Sequence, residues 1–195
     1  MTVIADRTLV VLRHGRTAWN ATGRFQGHGD PPLDAVGRRQ ARAAASRLAV
    51  LRPAAVVTSD LRRARETAAV VGARCGAPVI ADPALREVDL GGWEGLDAET
   101  AAARYPDEYR LWQQGEDVRR GGGETLAEAG ARVSVALDAA AARCPPGGVV
   151  VVVSHGLVLQ RAMGPNAEHL DNGKWATVIF SPATPDTGTA MCTIP

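Results

Sequence analysis

Short apolar runs that end in polar clusters recur along the chain. Each run is four to six residues long and rich in valine, which is typical of buried parallel strands. The runs are Leu9–Leu12, Ala54–Thr58 and the five valines at 149–153. The weaker runs Pro78–Ala81 and Trp175–Phe180 predict a short third strand and a final strand, and Ser181–Pro195 is expected to be a loosely held tail.

Helical stretches with apolar positions on one side alternate with these runs. They extend from Asp34, a predicted N-cap, to about Leu51, from Leu61 to about Cys75, from the glycines at 121–123 to about Arg143, and over Leu157–Met163. Alternation of strands and helices favours a parallel sheet with helices on both faces. We therefore predict an α/β fold, a three-layer α/β/α sandwich with a doubly wound, mostly parallel sheet.

A further helical stretch between the third and fourth strands predicts a small cap. It runs from Ala98 to Gln114, is interrupted at Pro106 and carries Tyr105, Tyr109 and Trp112. The chain has 195 residues, enough for one domain with a substantial core. We expect a single domain over 1–195 with the cap inserted at about 96–123.

Charge and cysteine content narrow the function classes. The formal net charge is +1, and Lys174 is the only lysine, so no basic tract indicates a nucleic-acid partner. Three widely separated cysteines give neither a disulfide framework nor a metal-ligand spacing. No leader or membrane-spanning pattern is visible, so we expect a cytoplasmic protein without membrane contact.

The polar cluster after the first strand suits an oxyanion. His14 follows Arg13 and precedes Arg16, and nearby cations disfavour an imidazolium, so we expect a neutral, nucleophilic imidazole. Guanidinium forks, with Thr17 and Asn20 as further donors, match a tetrahedral group such as phosphate. Gly15 would let the backbone approach a ligand closely. The alternative is a structural histidine in a strand-to-loop turn with solvated arginines.

Similar clusters follow the second and fourth strands. Arg62, Arg63 and Arg65 lie at the predicted start of a helix, where cations are unfavourable unless an anion binds there. The alternative is that two of the three point to solvent. His155 repeats the His-Gly pair at another strand end, and Glu87 lies in a glycine-bounded loop, where it could also be only a surface group.

These segments together resemble the histidine phosphatase superfamily, the phosphoglycerate mutase-like branch 1. The matching segments are Arg13-His14-Gly15, Ser59 to Ala68, Leu85 to Gly95 and Ser154-His155-Gly156. The resemblance implies that His14 forms a phosphohistidine, that Arg13, Arg63 and His155 bind the phosphoryl group, and that Glu87 protonates the leaving oxygen. It also implies substrate contacts from Asn20, Gln26 and Gly27.

Other residues are expected to face the substrate. Arg16, Thr17, Gly156 and Leu157 adjoin the matching motifs. Arg119 and Arg120 precede the glycine run and could grip a carboxylate or a second phosphate, although both could equally be solvated.

The resemblance implies a phosphatase that hydrolyses small-molecule phosphomonoesters, with sugar or glycerate phosphates among the expected substrates. It implies no metal ion and no other cofactor. The alternatives are a phosphoglycerate mutase-type phosphotransferase, a phosphoprotein phosphatase and a non-catalytic phosphate-binding module. The short region after His155 could leave an apolar surface for a homodimer.

Overall fold

A six-stranded mixed sheet forms the centre of the molecule. The computed structural model describes residues 6–164, 167–180 and 191–193. The strands are β1 Arg7–Arg13, β2 Ala55–Thr58, β3 Val79–Ala81, β4 Val149–Ser154, β5 Trp175–Phe180 and β6 Met191–Thr193, in the order β3-β2-β4-β1-β5-β6. The first four strands are mutually parallel, and β5 runs antiparallel to β1.

The two central strands are β1 and β4, and their register aligns the polar clusters. Leu12 pairs with Val153, and Arg13 pairs with Ser154. Val151 is buried on one face of the sheet and Val152 on the other, which explains the uninterrupted valine run. The carboxyl ends of β1, β2 and β4 therefore open at one edge of the sheet, where such folds bind ligands.

Helices cover both faces of the sheet. They are α1 Ala18–Ala21, α2 Ala35–Leu48, α3 Arg62–Cys75, α4 Ala98–Arg104, α5 Pro106–Gln113, α6 Leu126–Ala142 and α7 Gly156–Met163. Buried residues of α2 and α3 pack with Val10 and Leu12 on one face, and those of α6 and α7 pack with Leu9 and Val11 on the other. The predicted three-layer α/β/α architecture is confirmed.

The stretch between β3 and β4 carries the two short helices α4 and α5. An aromatic cluster fastens them to the body of the protein, because Trp93 is completely buried and lies against three rings from this region. Those rings are Tyr105, Tyr109 and Trp112. Phe25 packs on Trp93 from the loop after α1, with ring centroids 5.0 Å apart.

Two helix starts follow the sequence closely. The Asp34 side chain accepts a hydrogen bond from Gly37 N at 2.7 Å and caps α2, as predicted. At the start of α3 Arg63 is buried, whereas Arg62 and Arg65 are exposed, so two of the three arginines do point to solvent.

The prediction for the end of the chain is partly wrong. Met191–Thr193 forms β6, which pairs antiparallel with β5 and extends the sheet beyond the strand predicted to be the last. Residues 181–190 and 194–195 lie outside the described residues. In the described ranges, no helix has both the length and the apolar character needed to cross a membrane.

Candidate active site

A pocket of about 210 Å³ opens where the strand ends meet. Arg13 and His14 follow β1, Arg63 projects from the first turn of α3 after β2, and Glu87 comes from the loop after β3. His155 follows β4, and its ring centroid lies 5.1 Å from that of His14. The structure thus brings the five expected reacting and phosphate-binding residues together at one edge of the sheet.

The hydrogen bonds of His14 fix its tautomer. Nδ1 lies 2.7 Å from Gly15 O, and a carbonyl oxygen accepts only, so Nδ1 carries the proton. Nε2 is therefore unprotonated, and its lone pair accepts a hydrogen bond from Arg63 Nε at 3.3 Å, a contact that an electrophile would replace. An imidazole held in this way can attack an electrophile through Nε2.

The pKa of His14 lies well below its ordinary value of 6.5. Burial is the main cause, because it disfavours the charged ring, and the cations Arg63 and Arg13 act in the same direction. The sequence predicted a neutral ring, with Arg13 and Arg16 as the cations that disfavour its charged form. In the structure, Arg63 and Arg13 are the cations that lower the pKa of His14. Burial of the side chain was not visible from neighbouring residues in the sequence.

Arg63 is held by backbone carbonyls of the loop after α1. Its NH1 donates to Gly29 O at 2.7 Å and its NH2 donates to Gly27 O at 2.8 Å. Burial lowers the pKa of the Arg63 guanidinium to about 10, with Glu87 acting in the opposite direction, so the group stays charged at neutral pH. The loop carbonyls therefore aim a fixed cation at His14.

Arg13 reaches a histidine that the sequence analysis did not identify. Its NH1 donates to His169 Nε2 at 2.6 Å and to Leu170 O at 2.8 Å, both on the loop after α7. The Arg13 Nε atom is buried and has no partner in the described structure. A guanidinium oriented by two acceptors, with another donor free, is suited to hold an anion.

His155 is completely buried and neither of its ring nitrogens has a hydrogen-bond partner among the described residues. Buried polar atoms are rarely left unpaired, so these nitrogens, beside the His14 ring, are available to a bound anion. The pKa of His155 is also well below 6.5, mainly through burial and then through Arg63 and His14.

Glu87 faces this cluster from the opposite side. Its Oε1 accepts from Val158 N at 3.2 Å, and its Oε2 accepts from Leu157 N at 3.3 Å, both at the start of α7. Its charge raises the pKa of both Arg13 and Arg63, against the larger lowering by burial. The carboxyl group is therefore fixed beside the two cations, within the pocket that His14 lines.

Gly15 has a different role from the one expected. A Cβ atom there would lie 2.4 Å from Gly37 O, so the glycine allows α2 to pack directly against the loop that carries His14. This close approach is to the protein's own backbone, and the expected approach to a ligand stays a prediction.

Among the expected substrate contacts, five line the pocket directly: Gln26, Gly27, Arg120, Gly156 and Leu157. Thr17 and Asn20 do not line it. They cap α1 reciprocally, and the Thr17 hydroxyl also donates to Gln26 Oε1 at 3.0 Å. These two residues support the pocket wall.

Of the three arginines expected to face the substrate, Arg120 lines the pocket, whereas Arg16 and Arg119 do not. Arg120 is buried and lines the pocket, and its pKa is lowered by burial. Arg119 turns away and forms an exposed ion pair with Glu128. Arg16 likewise pairs with Asp34, with Nε and Oδ2 2.8 Å apart, and does not line the pocket. The expectation that Arg16 and Arg119 face the substrate is therefore not met, because acidic neighbours engage both side chains.

A second cleft, of about 270 Å³, adjoins the pocket and shares Trp112, Arg120 and Leu157 with it. Arg161 lies on its far wall. The described ranges contain no cluster of three or more histidine, cysteine or acidic side chains that could hold a metal ion.

The family model of the histidine phosphatase superfamily (branch 1) matches residues 9–184. Among curated proteins, a probable phosphoglycerate mutase GpmB of Yersinia enterocolitica is 39% identical over 153 residues, covering 76% of this chain and 69% of the relative. A glucosyl-3-phosphoglycerate phosphatase of Mycobacterium tuberculosis is 39% identical over 157 residues, covering 77% and 70%.

Solved structures agree with these relatives. The mycobacterial glucosyl-3-phosphoglycerate phosphatase in complex with VO3 superposes with a TM-score of 0.79 at 34% identity, covering 88% of this chain and 90% of that chain. A phosphoglycerate mutase of Bacillus anthracis has a TM-score of 0.83 at 22% identity, covering 100% and 94%, and shows the shared fold. The chain therefore belongs to branch 1 of the histidine phosphatase superfamily.

Proposed function

We propose that the protein hydrolyses small-molecule phosphomonoesters through a phosphohistidine on His14. The observation that carries this proposal is the hydrogen bond from His14 Nδ1 to Gly15 O, which leaves Nε2 unprotonated on the side of the ring where Arg63 lies. Arg13 and His155 have buried nitrogens without a partner among the described residues, and these nitrogens are available to a phosphoryl group.

In the first step, the Nε2 lone pair attacks phosphorus while the bond from phosphorus to the ester oxygen breaks. Arg13, Arg63 and His155 stabilise the charge on the equatorial oxygens, which is the main catalytic requirement of phosphoryl transfer. Protonated Glu87 gives its proton to the leaving oxygen, because an alkoxide leaves poorly near neutral pH.

In the second step, water attacks the phosphohistidine. Glu87, now ionised, takes a proton from that water, and the bond from phosphorus to Nε2 breaks. The products are inorganic phosphate, neutral His14 and protonated Glu87, so the cycle closes. The protein's own cations stabilise both steps, and we propose that no metal ion is required.

Hydrolysis is favoured over mutase transfer by the size of the cap. A mutase must shield its phosphohistidine from water, which needs a closing lid. Here the segment at about 96–123, which we propose acts as the cap, contributes only two short helices, α4 and α5. The similarity to GpmB nevertheless makes mutase transfer the second candidate.

We propose that the preferred substrates are sugar or glycerate phosphates that carry a second anionic group, such as the carboxylate of a phosphoglycerate. Arg120 is buried where the pocket meets the adjoining cleft, next to the expected leaving-group side at Glu87. The glucosyl-3-phosphoglycerate phosphatase relatives support this substrate class. We also propose a cytoplasmic location, which the free thiols Cys75 and Cys144 support. Homodimerisation remains a prediction, which sedimentation analysis can test.

The proposal is tested with purified protein on a panel of esters. The panel contains p-nitrophenyl phosphate, glucose 6-phosphate, 3-phosphoglycerate, glucosyl-3-phosphoglycerate and a phosphoserine peptide. Phosphate release from the carboxylated esters at higher kcat/KM than from the peptide is expected. Interconversion of phosphoglycerates without phosphate release would favour the mutase, preference for the peptide would favour a phosphoprotein phosphatase, and no turnover of any ester would favour a binding module.

A further inference from the structure

A half-buried ion pair lies behind the loop that carries Glu87. It consists of Arg132 on α6 and Glu124 just before α6, with the Arg132 NH2 atom 2.7 Å from Glu124 Oε2. Neither residue lines the pocket. Both form hydrogen bonds with the backbone around Glu87, so they fix this loop as well as joining α6 to the core.

Arg132 uses all five of its N–H groups. Two of its hydrogen bonds go to the two oxygens of Glu124, and the other three go to backbone carbonyls. Those carbonyls belong to Ala84 at 2.9 Å, Arg86 at 3.1 Å and Glu87 at 3.2 Å. A guanidinium is the only side chain with five donors in a planar fork, so no other residue can replace this set of contacts.

Glu124 holds the loop on the far side of Glu87. Its Oε2 accepts from Asp89 N at 3.1 Å, and its own amide donates to Asp89 O at 3.0 Å. Although burial raises the pKa of Glu124, the hydrogen bond from Arg132 and that from Asp89 lower it below its usual value. The loop is therefore fixed by charge-assisted bonds both before and after Glu87.

Two further contacts complete the support. His28 Nε2 donates to Glu87 O at 2.9 Å, and the Ser154 hydroxyl donates to Leu85 O at 2.8 Å. Among the described residues, the Glu87 carboxyl group, in contrast, is held only by amides, those of Val88, Leu157 and Val158. Amides at 3.0 to 3.3 Å orient the carboxyl group but leave its distance from the substrate to be set by the backbone.

We propose that Arg132, with Glu124 as its partner, is a positioning residue that sets the reach of the Glu87 carboxyl group toward the leaving oxygen. This inference rests on the proposed function, because it assumes that Glu87 is the proton donor. Displacement of a proton donor by about 1 Å can cost on the order of a hundredfold in rate. The loss should fall on substrates that need protonation.

Esters whose leaving groups differ in their need for a proton provide the test of this inference. An aryl ester such as p-nitrophenyl phosphate needs little protonation, whereas an alkyl ester such as glycerol 3-phosphate needs it strongly. Arg132→Lys keeps the charge but removes two of five donors, so we expect about a tenfold to hundredfold loss of kcat/KM on the alkyl ester. On the aryl ester we expect less than about a threefold loss, because positioning of the acid matters little there.

The matched control is Arg143→Lys, the same exchange at an exposed position at the end of the same helix. It should leave both esters unaffected. The ratio of the two activities is measured on one preparation, so it does not depend on the fraction of folded protein. If Arg132→Lys does not fold, Glu124→Gln tests the same ion pair and its contacts with the loop around Glu87. It should change the ratio of the two activities in the same direction.

A double-mutant cycle with Glu87→Gln identifies the route of the effect. If Arg132 acts through Glu87, then Arg132→Lys should cost nothing further in the Glu87→Gln background. Equal losses on both esters, or full additivity with Glu87→Gln, would overturn the inference. Failure of the wild type to hydrolyse either ester, or no leaving-group selectivity in Glu87→Gln, would instead overturn the proposed function.

Discussion

The free energy of unfolding should fall steeply as the pH drops below the pKa of an ordinary histidine. His14 and His155 are 2% and 0% exposed, and burial lowers the pKa of both well below 6.5. In the folded protein both rings therefore stay neutral in mildly acidic solution. In the unfolded chain they bind protons below about pH 6.5, so acid favours unfolding.

The size of the effect follows from proton linkage. Each group that is neutral when folded and protonated when unfolded costs about 1.4 kcal/mol per pH unit below its unfolded pKa. Lowering the pH from about 7.5 to about 5.5 should therefore reduce the free energy of unfolding by about 2.7 kcal/mol for the two rings together. Asp34, Asp60 and Glu124, whose pKa values are lowered, lose their stabilising effect only at more acidic pH.

Urea unfolding followed by tryptophan fluorescence measures this loss, because Trp93 is completely buried in the folded state. Buffers must contain no phosphate, since a bound anion favours the imidazolium form. The comparison variant is His155→Asn, which should lose about 1.4 kcal/mol less than the wild type over the same pH interval. The reasoning is refuted if the wild type is equally stable at both pH values, or if His155→Asn shows the full pH dependence.

Three further predictions concern catalysis. Glu87→Gln should lower kcat/KM by about a hundredfold or more on alkyl phosphates and much less on p-nitrophenyl phosphate; equal losses would remove Glu87 from the acid role. Arg120→Ala should raise KM for a carboxylated ester by about tenfold to a hundredfold, whereas Arg119→Ala, which breaks only an exposed ion pair, should leave this KM unchanged. Steady-state kinetics of both variants on 3-phosphoglycerate, with glucose 6-phosphate as the ester that lacks a carboxylate, measure this difference. Incubation with EDTA should leave phosphate release unchanged, and activity that is lost in EDTA and restored by magnesium would contradict a mechanism based on protein cations alone.

The sheet could be predicted because its central strands are completely buried. Valine runs such as 149–153 indicate strands with two apolar faces, and the polar residues that follow them must then gather at one edge. The strand ends therefore predict that His14, Arg63 and His155 lie close together, and they do so in the structure. By contrast, Met191–Thr193 is too short to carry a pattern, and its place in the sheet depends on pairing with β5.

Contacts between distant side chains could not be read from the sequence. His169 reaches Arg13 across 156 positions, from a loop with no periodicity. Arg16 and Arg119 carry the same charge as Arg63 and Arg120, and only their pairing with Asp34 and Glu128 removes them from the pocket. For an arginine, local sequence gives the charge, whereas the neighbours in space decide whether a ligand can use it.

The central claim is that His14 carries the phosphoryl group during turnover. It is tested by mixing the enzyme with a phosphate ester, quenching in alkaline denaturant, where phosphohistidine survives, and mapping the modified peptide by mass spectrometry. We predict a phosphoryl group on His14 and none on any peptide of the His14→Ala variant. Turnover without a phosphorylated peptide, or phosphorylation of His155 with His14 unmodified, would contradict the account.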